Sequence, residues 1–382
     1  MDFELDEESR AFADSVRRFA RNKLAEGALR RAHESAYPWD VARMLAAQGL
    51  LGIPFAEADG GMGGTLLQAV IAIQEVALVC PRSADIVQAG NFGPIRTFVE
   101  YATPGQKKRF LPDLLAGKTL MSLGMTEPDA GSAVTDLQTR AEMEGTVYVV
   151  NGSKIFSTHS PEANLFLIYV RYGPGVGGIG SVLVERGMPG FTIGKPSSFM
   201  SGEQWAELHF ENCRIPAENA LLGPGGFKKQ ISGFNVERLG NASRSLALGR
   251  YAFNLAREHA LVRKQFGRPL CEFQGLQWKF AEMAVKLDSA QLLLYRAVAS
   301  ADKGLPAAYE TAAAKLACNT AGWEAANEAL QVMGGTGYSR DTLVEYCVRR
   351  TRGWMIAGGS LEMLKNRIAE SIFDRRFDQR PG

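Results

Sequence analysis

Two stretches of the chain carry residue types that chemistry could use. Met125-Thr126-Glu127-Pro128-Asp129-Ala130-Gly131-Ser132 sets small residues, a turn-forming proline and two hydroxyls ahead of a strand-rich region. Backbone N–H groups and hydroxyls at such a place could hydrogen-bond a planar ring with polar edges. An ordinary domain-crossing turn has the same composition, and composition alone leaves the two readings even. Much later, Phe234-Asn235-Val236-Glu237-Arg238 offers a carboxylate on a helix. Desolvated, such a group gains the basicity to take a proton; exposed, it is one more charged helix turn, which is the reading these residues alone favour.

Other patterns carry less. Gly175-Val176-Gly177-Gly178-Ile179-Gly180 matches G-x-G-x-x-G, but that motif works only with a strand before it and a helix after it. Here Ser181-Val182-Leu183-Val184 follows, which reads as a strand, so the segment is expected to be a hairpin loop and no Rossmann domain is expected. His33, His159, His209 and His259 form no spaced ligand pair, so no metal site is expected. No G-x-S-x-G elbow is present. The five cysteines are scattered without a C-x-x-C, which argues against a disulfide framework or zinc site and suits a reducing cytoplasm.

The elements that must position these residues follow from periodicity. Asp6, Glu7 and Glu8 put negative charge at a helix start, and Phe12, Val16 and Phe19 then mark one apolar helical face. Thr103-Pro104-Gly105-Gln106 predicts a capped helix running through Leu114, and the glycine-dense run Gly60 to Gly64 predicts a loop. From about Met121 to Gly226 the pattern turns to strands. Val147 to Val150, then Asn151-Gly152, then Lys154 to Phe156 predicts a hairpin turning at Asn-Gly. Leu165 to Val170, Ser181 to Val184 and Glu207 to Phe210 predict further strands. After Gly226, Phe273, Leu276, Phe280, Met283, Leu287, Ala290 and Leu294 trace a bundle seam. Breaks are expected at Lys303 to Pro306 and at Gly334 to Gly337. The expected fold is α+β: an N-terminal helical domain (1–120), a small β-barrel-like domain (121–226) and a C-terminal four-helix bundle (227–382).

The length of 382 residues fits two or three domains. Hydrophobic residues make up 46% and charged residues 22%, as in a soluble globular protein. With 43 basic against 41 acidic residues, there is no strong positive field for a nucleic-acid partner. The acidic start lacks the features of a signal peptide, and the apolar stretch Leu66 to Cys80 is too short to span a bilayer. A cytoplasmic protein with neither nucleic-acid nor membrane partners is expected.

The Met125 to Ser132 segment gains meaning from its company. Together with Asn151-Gly152-Ser153-Lys154-Ile155-Phe156-Ser157-Thr158, Arg263-Lys264-Gln265-Phe266-Gly267 and Gln331-Val332-Met333-Gly334-Gly335-Thr336-Gly337-Tyr338, it resembles the acyl-CoA dehydrogenase family in motif order and spacing across essentially the whole chain. The resemblance implies FAD held between the β domain and the C-terminal bundle, usually in a homotetramer (or homodimer). It also implies that Thr126 bonds the flavin with Met125 beside it, and that Ser132 lies near flavin or substrate. Phe156 takes the place of an aromatic residue packed on the isoalloxazine, and Thr158 that of a nearby hydroxyl. Arg263, Phe266 and Gln274 resemble residues reaching a neighbouring subunit's FAD, and Gln331 and Gly335 resemble the contacts to its adenosine pyrophosphate.

The family's chemistry removes an α-proton and a β-hydride from an acyl thioester, the proton to a carboxylate and the hydride to flavin N5. Many members carry the carboxylate as the glutamate of a Tyr-Glu-Gly-Thr segment. Here the matching stretch is Ile356-Ala357-Gly358-Gly359-Ser360-Leu361-Glu362, with Gly358 at the glutamate position. Ser360 and Glu362 fall at positions resembling flavin-nucleotide contacts. The family's second solution puts the glutamate on the first long bundle helix, which matches Glu237. Gly358 keeps its N–H, which would help polarise the thioester oxygen, and Asn235 and Arg238 are expected toward the CoA end.

The resulting expectation is FAD-dependent dehydrogenation of an acyl-CoA substrate to the 2,3-enoyl-CoA, with electrons passed to an electron-transfer flavoprotein or similar acceptor. Three alternatives stand beside it: a flavin monooxygenase or oxidase of the same fold, a dehydrogenase of carrier-protein-bound thioesters, and a silent scaffolding relative.

Overall fold

The computed structural model describes residues 4–302 and 307–377; the break expected at Lys303 to Pro306 lies outside them. Helices α1 (Glu7–Lys23), α2 (Ala28–His33), α3 (Trp39–Ala47), α4 (Leu66–Ala77), α5 (Ala84–Asn91), α6 (Pro94–Tyr101) and α7 (Pro104–Leu115) come first. Strands β1 (Met121–Gly124), β2 (Arg140–Glu144), β3 (Val147–Thr158), β4 (Leu165–Arg171), β5 (Ile179–Glu185), β6 (Phe191–Ile193), β7 (Ser197–Ser198), β8 (Gln204–Pro216) and β9 (Ala220–Leu222) follow. The long helix α8 (Phe227–Val262) leads to a small hairpin, β10 (Lys264–Gln265) and β11 (Arg268–Pro269). The chain then forms α9 (Gln274–Ala301), α10 (Ala308–Met333), α11 (Gly335–Tyr338), α12 (Val344–Trp354) and α13 (Leu361–Ile372). The order is helical, then β, then helical, as the sequence predicts.

Local signals account for several boundaries. Asp6 accepts from the Ser9 N–H at 2.8 Å and caps α1. The stripe buried on that helix is Ser9, Ala13, Val16 and Ala20, one step round from the expected Phe12 and Phe19, which are only half-buried. Small side chains on the buried stripe let a helix approach its neighbours closely. The capping box of α7 is complete: Gln106 N–H donates to Thr103 Oγ1 at 3.2 Å and Thr103 N–H to Gln106 Oε1 at 2.9 Å. The Gly334 break ends α10 as expected, with φ of +57°.

The described chain divides into two compact units that do not follow chain order. In the unit formed by Glu34–Gly64 and Ala89–Phe234, the strands run β6-β8-β3-β2-β4-β5-β9, with β1 alongside β4 and β7 alongside β8. The central strands β4 and β5 are buried on both faces, which is why they read as unbroken apolar runs. Phe166, Ile168 and Val184 pack on one face with Leu208 and Phe210 of β8. Leu165, Leu167 and Leu183 face Phe98 of α6 and Leu111 and Leu114 of α7. The segment Gly175 to Gly180 is part of the connection of the antiparallel β4–β5 pair and enters β5 directly, with one short turn at Val176–Gly178.

The hairpin expected at Asn151-Gly152 is not there. Residues Val147–Thr158 form one strand, paired with β2 on one side and β8 on the other. The turn lies earlier, between Glu144 and Val147, where Gly145 takes φ of +61°. Asn151 instead accepts from the Asn212 N–H at 2.8 Å. Gly152, at φ +144°, marks a register shift, and a Cβ there would lie 2.6 Å from Thr139 Oγ1. Glycine serves close strand approach at a bulge, not reversal.

The other unit comprises the described part of Met1–His33, Thr65–Gln88 and Asn235 onward. The α9 seam buries Met283, Leu287, Ala290 and Leu294, with Phe273, Leu276 and Phe280 only partly covered. The inward face of α10 is alanine-rich, and Gly249 of α8 and Gly322 of α10 allow backbone contact there: a Cβ on Gly249 would lie 2.6 Å from Gly322 Cα. Three polar side chains, Thr311, Lys315 and Asn319, interrupt this face.

Candidate active site

In the sheet-bearing unit, the Met125–Ser132 segment is tied to β3. Ile155 N–H donates to Thr126 O at 2.9 Å. Beneath it, Lys154 Nζ donates to Glu127 Oε1 at 2.6 Å and to Met125 O at 3.3 Å. Glu127 also accepts from the N–H groups of Gln138 (2.5 Å) and Thr139 (2.9 Å). Burial works to raise the Glu127 pKa, but the Lys154 charge and these hydrogen bonds outweigh it and hold the carboxyl below its ordinary value. Burial pushes Lys154 down to about 8 against the pull of Glu127.

At the end of β3 the backbone bulges, and Phe156 takes φ of +56°. A left-handed conformation costs an aromatic residue about 1–2 kcal/mol. Its ring is 52% exposed and leans on Trp205 at 4.7 Å between centroids. Ser122 Oγ donates to Thr158 O at 2.9 Å, leaving the Thr158 side chain exposed. The hydroxyls of Thr126, Ser132 and Thr158 make no hydrogen bond among the described residues. An open aromatic face held at a backbone cost, on the strand that also anchors the uncommitted hydroxyl of Thr126, fits a planar, polar-edged cofactor.

In the helical unit, Glu237 of α8 accepts from Gln88 Nε2 at 2.8 Å. Gln88 Oε1 in turn accepts from Arg244 NH1 at 3.0 Å, which fixes the amide so that its N–H₂ faces the carboxylate. Arg244 is itself placed by Asp85 at 2.6 Å and by the Trp354 ring at 4.4 Å. Asp85 also receives Arg82 at 3.3 Å and Arg350 at 3.2 Å. Glu237 is therefore partly buried and oriented, not a solvated helix charge.

Gly358 and Gly359 form a left-handed pair, with φ of +71° and +92°. Arg238 Nε donates to Gly358 O at 3.3 Å, and Lys315 Nζ to Gly359 O at 2.8 Å and Trp354 O at 3.2 Å. The N–H groups of Gly358, Gly359 and Ser360 donate to nothing among the described residues. Arg238, expected toward a thioester's CoA end, gives NH1 to Asn235 Oδ1 at 2.7 Å as well as Nε to Gly358. Burial, and then the charge of Arg367, lower its pKa to about 10.

The remaining residues from the sequence reading lie at element ends. Arg263 follows α8, and Phe266 stands at the β10–β11 turn with φ of +50° and a 92% exposed ring. Gln274 opens α9, Gln331 lies near the end of α10, and Gly335 opens α11; all three are exposed. Ser360 caps α13, and Glu362 sits in its exposed first turn, held below the usual carboxylate range by its own N–H and the Ser360 hydroxyl.

The helical, β, helical order is the fold of flavoprotein oxidoreductases acting on CH–CH bonds. Models of the N-terminal, middle and C-terminal acyl-CoA dehydrogenase domains match residues 6–118, 122–213 and 224–373, and the chain belongs to the acyl-CoA dehydrogenase family. It is 35% identical to a short-chain-specific acyl-CoA dehydrogenase of Clostridium acetobutylicum, over 98% of this chain and 100% of that one. It is 33% identical to a 3-sulfinopropanoyl-CoA desulfinase of Paraburkholderia xenovorans, over 99% of both. The solved butyryl-CoA dehydrogenase from Megasphaera elsdenii superposes with a TM-score of 0.91 at 31% identity, covering 98% of this chain and 100% of that one. The family is FAD-dependent. No described helix is long and apolar enough to cross a membrane.

Sequence reasoning passed over Gln88, Asn241, Arg244 and Lys315. Lys315 and Asn319 had a signal: a lysine and an asparagine four apart on an otherwise small, buried helix face. Gln88 had none, since an isolated glutamine in a short helix has no periodicity to violate.

Proposed function

We propose that the protein catalyses FAD-dependent α,β-dehydrogenation of an acyl-CoA thioester, with Glu237 as the base that takes the C2 proton. The observation that carries this is Glu237, partly buried on α8 and bonded by Gln88, in a chain whose position 358 holds no carboxylate. Removal from water raises a carboxylate's basicity, and the Gln88 donor aims it. The N–H of Gly358 stabilises the thioester oxygen as C2 loses its proton. Bound FAD supplies the hydride acceptor for C3.

Phe156 supports the flavin ring, Thr126, Met125, Ser132 and Thr158 border it, and Arg263, Phe266, Gln274, Gln331 and Gly335 reach the FAD of a second copy in a homotetramer. Ser360 and Glu362 contact the nucleotide, and Asn235 and Arg238 line the CoA side. The electrons leave to an electron-transfer flavoprotein, and the enzyme works in the cytoplasm.

Anaerobic bleaching of the flavin by a panel of acyl-CoAs tests the reading. The panel starts with short chains, in keeping with the relatives' names, and includes one with an anionic far end. Thioester-dependent bleaching is expected, with slow reoxidation by oxygen; rapid reoxidation points to an oxidase instead. Glu237→Gln should keep FAD and lose roughly a thousandfold or more in bleaching rate. Unchanged bleaching removes Glu237 from the reaction.

A further inference from the structure

Lys315 is a fully buried cation on the inward face of α10, at 0% exposure. Its ammonium touches both ends of the turn that carries Gly358: Trp354 O at 3.2 Å and Gly359 O at 2.8 Å. Asn319 Nδ2 shares Trp354 O at 2.6 Å and donates to Asn241 Oδ1 at 3.0 Å. Arg238 holds Gly358 O at 3.3 Å. Donors thus take up the carbonyls of Trp354, Gly358 and Gly359. In a trans peptide the C=O and N–H point opposite ways. Holding Gly358 O and Gly359 O therefore turns the N–H groups of Gly359 and Ser360 away from these donors. Gly358 and Gly359 are both left-handed and have no side chain to brace them, so these cationic tethers supply the bracing.

We propose that Lys315 is the positioning residue of this N–H run: its charged ammonium clamps the turn so that the N–H groups are presented to a thioester oxygen, and the clamp slackens when the ammonium loses its proton. This rests on the reading of Gly358 as the oxyanion donor. A charge-assisted bond is roughly twice as strong as a neutral one, so the neutral amine is a weaker clamp. The charged groups acting on Lys315 both come from α8: Glu237, which favours its charge, and Arg238, which opposes it. Arg367 of α13 acts on Arg238, and what α12 and the turn present are the carbonyls of Trp354 and Gly359. Burial is the largest influence and brings the ammonium down to about 7, so the clamp titrates in the working range.

The test compares the holoenzyme with Lys315→Met and Lys315→Arg. Flavin reduction by a reactive acyl-CoA is followed against pH, and the thioester carbonyl stretch of bound enoyl-CoA is read by infrared difference spectroscopy. In the unmodified enzyme the rate should fall on the alkaline side, from about pH 7 upward. Lys315→Arg should move that limb to higher pH. Lys315→Met should remove it and lower kcat roughly tenfold to a hundredfold with little change in KM. The enoyl carbonyl should be less polarised in Lys315→Met. An alkaline limb identical in all three proteins, or full polarisation in Lys315→Met, overturns the proposal. If Lys315→Met does not retain FAD, the displaced limb of Lys315→Arg decides alone. The carbonyl reading needs no base, so it separates failure of the clamp from failure of the Glu237 assignment.

Discussion

Gln88 Nε2 stands 2.8 Å from Glu237 Oε1, with the opposite end of its amide held by Arg244 at 3.0 Å. A glutamine in this arrangement can present only its N–H₂ to the carboxylate. The proposed base is thus oriented from a helix more than a hundred residues earlier in the chain, with |i−j| of 149.

Gln88→Leu should show what that bond does. The bond aims the Glu237 carboxylate, so its loss frees the side chain to turn. The rate near neutrality should drop about tenfold through lost orientation. Unfolding by urea should report a loss of about 1–3 kcal/mol, because Arg244 loses a buried acceptor. A flavin-reduction rate equal to that of the unmodified enzyme would contradict the role given to Gln88.

Phe156→Gly separates structure from cofactor binding. Glycine accepts φ of +56° without strain, and the ring removed is half exposed. The apo-protein should therefore lose little stability or gain up to about 1 kcal/mol. FAD affinity, measured by flavin fluorescence on titration, should weaken about tenfold or more. A large loss of apo-protein stability with unchanged FAD affinity would make Phe156 an ordinary packing residue.

Gly358→Ala puts a Cβ on a backbone with φ of +71°. The nearest atoms to it, Asn241 Nδ2 and Lys315 Cε at 3.7 Å, leave room for a methyl group. The cost is conformational, about 1–2 kcal/mol by denaturant melting. Flavin reduction should slow because the N–H run is displaced, while FAD binding stays. Equal rates in the two proteins would place the oxyanion donor elsewhere.

Lys154→Met should be the most damaging to folding of these changes. It leaves Glu127 buried with its cation gone, and breaking a buried pair from one side costs about 3–5 kcal/mol. Lys154→Met with Glu127→Gln should recover much of that loss in thermal melts. No recovery would show that the pair is not the origin of the defect.

The buried lysines also link stability to pH. The unfolded chain keeps a lysine protonated up to its ordinary 10.5, whereas folded Lys315 releases its proton near 7 and Lys154 near 8. Between these limits the unfolded state binds more protons, so stability rises with pH. Below about 7 the Lys315 contribution is level. Urea midpoints across this window should climb in the unmodified protein and climb less steeply in Lys315→Met.

The helical, β, helical order, the capping box at Thr103 and the break at Gly334 were legible in the sequence because each depends on a few adjacent residues. The Asn151-Gly152 hairpin was misread for the same reason. Asn-Gly is a turn signal locally, but here β8 pairs along the same strand and Thr139 crowds Gly152, so the glycine relieves an approach made by distant chain. The seam of α9 was read correctly where Met283, Leu287, Ala290 and Leu294 are packed and overstated at its first turns, where cover is partial.

By itself the sequence determined the class of fold, the family, and the absence of a carboxylate at position 358, since these rest on residue identity and spacing. Only the tertiary structure decided that Glu237 is held by Gln88, that Arg238 turns back onto Gly358, and that a buried lysine reaches Gly359 O. Each of these is a contact between side chain and a partner remote in the chain, and its worth depends on burial and direction, which residue order does not encode.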